Sequence, residues 1–147
     1  MTQIDILYHK ASDTYLADDL NGNVITFKAD RENHEAAPQS TGKSIGPMVS
    51  LLMACGACSG IDIVMILEKQ RQNFDRLAIK VFGEREKDKT PAVWEKVKIE
   101  YYIDGDFDAT KAQRAAELSI EKYCSVLETL RRAGATVEYE VIINEGK

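Results

Sequence analysis

Gly46-Pro47-Met48-Val49-Ser50-Leu51-Leu52-Met53-Ala54-Cys55-Gly56-Ala57-Cys58-Ser59-Gly60-Ile61-Asp62-Ile63-Val64 is the stretch whose reading governs the fold. Proline is tolerated in the first turn of a helix, and nothing after Pro47 breaks one before about Arg71 or Asn73. The apolar residues of this helix point all round, so it needs cover on several sides. Residues 46–67 are about long and apolar enough to span a bilayer, yet Asp62 lies among them and Gly56, Ala57, Ser59 and Gly60 dilute the centre. The stretch therefore reads as a buried core helix. One small sheet and one other helix leave part of it uncovered, which points to a second subunit.

Working outward, Ile4, Ile6 and Tyr8 alternate with polar residues, and Leu16 to Leu20 and Val24 to Lys28 flank Asn21-Gly22, a dipeptide suited to a tight hairpin turn. Residues 29–45 carry no periodicity, and a loop of that length in a compact domain is usually functional or mobile. Downstream, Leu77, Ile79 and Val81 and then Val97, Ile99, Tyr101 and Ile103 predict an antiparallel hairpin around the charged loop Glu84 to Lys89. A second helix follows Asp104-Gly105-Asp106, capped by Asp108 or by a Thr110/Gln113 box, and runs unbroken to Arg132 before Gly134 stops it. Val137, Tyr139, Val141 and Ile143 form a last strand. The element order predicts an α+β fold in a single domain over residues 1–147, and periodicity alone suggests a ferredoxin-like one.

Nineteen Lys and Arg against 24 Asp and Glu give a net charge of −5, which argues against nucleic acid or an anionic membrane as partner and favours a small, neutral or apolar one. The first residues show neither a basic nor an apolar signal region, so a cytoplasmic setting is expected. Three cysteines at uneven spacing (Cys55, Cys58 and Cys124) fit a reducing compartment rather than a disulfide framework.

Several motifs fail on inspection. Thr41-Gly42-Lys43-Ser44 lacks the earlier glycine of a phosphate loop, where Ala37 stands. Asp104, Asp106 and Asp108 imitate a calcium loop, but Ala109 and Ala115 occupy its required Gly and Glu positions. His9 and His34 have no partner at ligand spacing, so no metal or other cofactor is expected. Arg131 and Arg132 complement a helix C-terminus without needing a ligand. Cys55-x-x-Cys58 lies two to three turns inside its helix, beyond the reach of that helix's own dipole, so as a dithiol or zinc motif it is a weak signal. Asp62, one turn after Cys58 on an apolar helix, must find a donor or take up a proton; a structural hydrogen bond to a neighbouring strand or subunit is the expected role.

The run from Gly46 to Val64, followed by Glu117-Leu118-Ser119-Ile120-Glu121-Lys122-Tyr123-Cys124-Ser125-Val126 and Thr129-Leu130-Arg131, resembles the osmotically inducible protein C (OsmC) and organic hydroperoxide resistance family from the Asn21-Gly22 hairpin to the end of the chain. The resemblance implies an intertwined α+β homodimer with an antiparallel sheet, the long Cys-bearing helices at its centre and the sites at the subunit interface. That expectation replaces the ferredoxin-like one. It further implies a peroxidase in which Cys58 matches the peroxidatic Cys and Cys124 the resolving one, while Cys55 has no counterpart and, with Asp62, is at most accessory. The oxidant would be an organic hydroperoxide or hydrogen peroxide, and the reductant an external dithiol such as a lipoyl group. Two other readings stay open: a redox or thiol-sensing protein that is not a peroxidase, and a dimeric binding protein with an apolar interface pocket.

The chain departs from the family pattern at two points. Met48 and Val49 stand where family peroxidases carry a Glu, and no Arg precedes Arg31. Candidates to replace that Arg are Lys10, Lys28, His9 and Arg31. With no guanidinium nearby and its own helix dipole out of reach, Cys58 is expected to be a weakly acidic thiol whose reactivity climbs steeply between pH 7 and 9.

Overall fold

The computed structural model describes residues 1–28 and 47–145, with side-chain surroundings given for these except Lys28. The loop 29–45, with Arg31, His34 and Thr41-Gly42-Lys43-Ser44, lies outside the described residues, as does the Lys28 side chain. A six-stranded sheet runs in the order β3-β2-β1-β4-β5-β6, made of β1 (Thr2–His9), β2 (Thr14–Asp18), β3 (Val24–Lys28), β4 (Asn73–Arg85), β5 (Trp94–Asp106) and β6 (Thr136–Ile143). Neighbours pair antiparallel throughout except β5 and β6, which are parallel. A ferredoxin-like arrangement is excluded. Strand β3 returns on β2 to the sheet edge, and β6 lies directly beside β5, so no strand from before the long helix separates them.

The long helix, α1 (Pro47–Lys69), meets the length and composition of a membrane span, with a mean hydropathy of 2.0 over its best window, but it packs on β1, β2 and β4. Ile4, Ile6, Tyr15, Leu77, Ile79, Val81, Ile99 and Tyr101 present one buried face to it, as period-two alternation requires. Glycine brings the backbones close. A Cβ on Gly60 would sit 2.8 Å from both Ile79 and the Tyr15 ring, and one on Gly56 2.5 Å from Ile6. At its N-terminal end the Trp94 indole N–H donates to the Met48 carbonyl at 2.9 Å, and Met48 and Val49 pack against the apolar core.

The second helix is not continuous. Helix α2 (Ala109–Leu118) starts on the Asp108 carboxylate, which accepts from Thr110 N at 2.8 Å, and gives way to a single π-turn, Ser119–Tyr123, closed by Cys124 N donating to Ser119 O at 2.7 Å. Cys124 then adopts an extended backbone (φ −74, ψ 100) and α3 (Ser125–Arg132) begins. No Pro or Gly marks this break, so the 3.6-residue pattern runs through it. The wider ring costs the Ile120 carbonyl its helical donor, and the Arg131 guanidinium, also 3.3 Å from Glu128, donates to it instead. Gly134, at φ +106, ends α3 as the sequence requires.

Because α1 rests on the sheet at Gly60, replacing it by Ala should destabilise the fold although alanine is the better helix former by about 1 kcal/mol. Overpacking the stiff Tyr15 ring outweighs that gain. We expect a net loss of about 1 kcal/mol or more for Gly60→Ala, read as a lowered urea midpoint at unchanged slope.

Candidate active site

Helix α1 carries Cys55 and Cys58 on different sides. Cys55 faces the core and is fully buried, and burial pushes its thiol up to about 12, so it stays protonated. Cys58 is half-buried and turned toward the start of α3. Cys124, at the break, is 3% exposed; its thiol donates to the Cys58 sulfur and is thereby held well above the ordinary thiol range. The three thiols are free.

This pairing, first in size, and the backbone N–H groups of Val126 and Ser125 lower the Cys58 thiol from 9.0 to about 7. Burial opposes the shift, as does the charge of Asp62. The expectation of a weakly acidic Cys58 is corrected. It rested on the missing guanidinium and the distant dipole of α1, whereas the π-turn ends one helix and begins another beside the thiol, and the unpaired amides of that new N-terminus act on the sulfur. No cationic side chain is among the largest influences on Cys58. His9 Nδ1 is instead 2.7 Å from Ser12 Oγ, and Lys10 Nζ donates to Phe74 O at 2.9 Å.

Asp62 finds a donor within the chain, on the second helical segment rather than on a strand: Ser119 Oγ, buried at the start of the π-turn, donates to Asp62 Oδ2 at 2.9 Å. Burial raises this carboxyl, and the Ser119 hydrogen bond partly offsets the rise. Tyr101 closes the site from the sheet side, its phenol fully buried and pushed up by burial, with Cys124, Cys55 and Asp62 bearing on it. Beyond Asp62 a cleft of about 330 Å³ opens between Met65, Ile66, Leu118 and Tyr123, with Lys69 at its rim. Among the described residues no group of His, Cys, Asp or Glu could hold a metal ion. The structure thus unites Cys58, Cys124 and Asp62, leaves Cys55 behind them, and adds Ser119 and the amides of Ser125 and Val126. Of these additions only Ser119 had a trace in sequence, as a polar residue on the apolar face of its helix.

A thiol half-buried against a second, buried thiol at a helix break defines a two-cysteine site on an α+β sheet. The family model described as OsmC-like protein matches residues 40–140, and the chain belongs to that family. Protein YhfA of Escherichia coli is 34% identical over 131 residues, 88% of this chain and 90% of that protein. A hypothetical protein from Aquifex aeolicus is 29% identical in its crystal structure, covering 96% of each chain with a TM-score of 0.62. An OsmC-like protein from Mycoplasma pneumoniae, 18% identical over 97% of this chain and 96% of its own, shares the fold with a TM-score of 0.61.

Alkylation of Cys58 should follow a single ionisation near pH 7 and level off by about pH 8, rather than climb through pH 9. Cys124→Ala removes the largest stabilising partner and should move that ionisation back toward 9.0. Ser125→Pro removes one amide at a position where proline suits the helix start, and should give a smaller rise in the same direction. Both are read by pH-dependent iodoacetamide labelling.

Proposed function

We propose that the protein is a thiol-dependent peroxidase, a cysteine-based oxidoreductase of the oxidative stress response. One observation carries the reading: the half-buried Cys58 lies against the buried Cys124, whose hydrogen bond lowers the Cys58 thiol. A thiol with a pKa near ambient pH combines a large ionised fraction with retained nucleophilicity. The Cys58 thiolate attacks the distal oxygen of a hydroperoxide, the O–O bond breaks, and the peroxide leaves as alcohol or water, with Cys58 as sulfenic acid. Cys124 attacks that sulfur and releases water as the disulfide forms. An external dithiol, such as a lipoyl group, returns both thiols in exchange for its own disulfide. A cytoplasmic setting would keep the resting thiols reduced.

The active unit is a homodimer in this reading. Leu51, Ala54, Cys58, Ile61 and Met65 recur at alternating steps of three and four along α1, and none is buried by its own chain, Leu51 and Met65 remaining 38% and 40% exposed. An apolar seam of that spacing suits a second helix. It would put the Cys58 sites at the interface.

One equivalent of cumene hydroperoxide should convert the reduced chain to a form about two mass units lighter, with a Cys58–Cys124 cross-link in the tryptic map. Cys58→Ser should abolish the reaction. A Cys55–Cys58 cross-link would favour a dithiol sensor, and no oxidation at all a binding protein that uses the cleft beyond Asp62. Light scattering should report two chains at micromolar concentration, joined by an interface of more than about 2,000 Å². A stable folded monomer would count against the dimer.

A further inference from the structure

Attack on a peroxide generates a strongly basic oxygen leaving group, and thiol peroxidation needs an acid beside it as well as a thiolate. Cys58 has the amides of Ser125 and Val126 and the Cys124 thiol around its sulfur. These groups stabilise the negative charge before attack and are the wrong ones to protonate an alkoxide on the far side of the O–O bond. Asp62 is differently placed. It lies one helical turn beyond Cys58 on α1, close enough to act on the thiol electrostatically, and is held by Ser119 Oγ at 2.9 Å. It also forms the near wall of the cleft that runs on past Met65, Ile66, Leu118 and Tyr123. Asp62 thus belongs both to the surroundings of Cys58 and to the wall of a cleft with room for the organic group of a hydroperoxide.

We propose that Asp62, positioned by Ser119 between Cys58 and the cleft, is the proton donor to the leaving oxygen of the peroxide. The inference rests on the peroxidase reading above. In the step assigned, the Cys58 thiolate forms an S–O bond to the distal oxygen, which keeps its hydrogen. The O–O electron pair passes to the proximal oxygen, and the Asp62 carboxyl gives that oxygen its proton, so that sulfenic acid, alcohol and the Asp62 carboxylate result. Sulfur is oxidised by two electrons and the peroxide reduced by two; solvent re-protonates Asp62. Burial raises this carboxyl, although the Ser119 hydrogen bond opposes the rise, so it takes up a proton more readily than an exposed one, and the step draws on that protonated form. A purely structural aspartate would need only to accept from Ser119, and asparagine can do that equally well.

That equivalence sets the experiment. Stopped-flow rates of Cys58 oxidation by cumene hydroperoxide and by peroxybenzoic acid, and of alkylation by iodoacetamide, are compared in the full-length wild type, Asp62→Asn and Ser119→Ala. Benzoate and iodide leave without a proton, whereas the cumyl alkoxide does not. Asp62→Asn should slow the cumene hydroperoxide reaction about 100-fold, while peroxybenzoic acid and iodoacetamide react as fast as with wild type. Ser119→Ala keeps the carboxyl but frees it, and should show the same selective loss in weaker form. Equal slowing with all three reagents would make Asp62 a structural residue, and undiminished reaction with cumene hydroperoxide would leave it no role as acid; either overturns the proposal. A wild type that neither peroxide oxidises would overturn the peroxidase reading and this inference together, an outcome distinct from a wild type that reacts and an Asp62→Asn variant that reacts equally well.

Discussion

A helix of 23 residues with hardly a polar side has to be covered, and that constraint organises the rest of the chain. The sheet covers one side, and Gly56 and Gly60 let α1 settle onto Ile6, Tyr15 and Ile79 with no Cβ between the backbones. The segment from α2 to α3 covers a second side and meets α1 along Ser59, Asp62 and Cys58. What is left is the seam from Leu51 to Met65. Cys58 sits in that seam, half-buried between the face sealed by the sheet and open water.

The break at Ser119–Cys124 converts a covering helix into part of a site. An unbroken α-helix would spend the amides of Ser125 and Val126 on the carbonyls of Glu121 and Lys122. The π-turn and the extended Cys124 release them to the Cys58 sulfur, where partial positive charge does for the thiolate what a guanidinium would otherwise do. The break leaves a carbonyl at Ile120, satisfied by Arg131, and a hydroxyl at Ser119, which is spent on Asp62. The buried Ser119 hydroxyl and the Ile120 carbonyl at the irregular turn thus each have a named partner, as buried polar groups require.

Charge around the thiol is balanced rather than simply positive. The Cys124 thiol and two amides favour the thiolate, while Asp62 and burial oppose it, and the outcome is a pKa of about 7 rather than the very low value an adjacent cation would produce. Cys55, only three residues away on the same helix, shows what happens without those donors, since burial, with a smaller push from the charge of Cys58, raises it to about 12. Position relative to the break, and not membership of a C-x-x-C motif, separates the two.

The long helix, the strands and the family motif that carries Cys58 and Cys124 were legible in the sequence because they rest on local signals: apolar periodicity, proline and glycine punctuation, and a motif whose order along the chain is itself informative. Asp62 also stood out, as a carboxylate on an apolar face. Strand order was not legible, because whether β6 pairs with β5 or another strand intervenes depends on contacts between residues far apart in sequence. Nor was the acidity of Cys58. No proline or glycine announces the π-turn, and an amide carries no side chain by which sequence could mark it. Tertiary structure decided that acidity by bringing the N-terminus of α3 to a sulfur more than sixty residues earlier in the chain. The sequence by itself determined the thiols and their order along the chain; only the packing of one broken helix against another decided which of them would meet the freed amides.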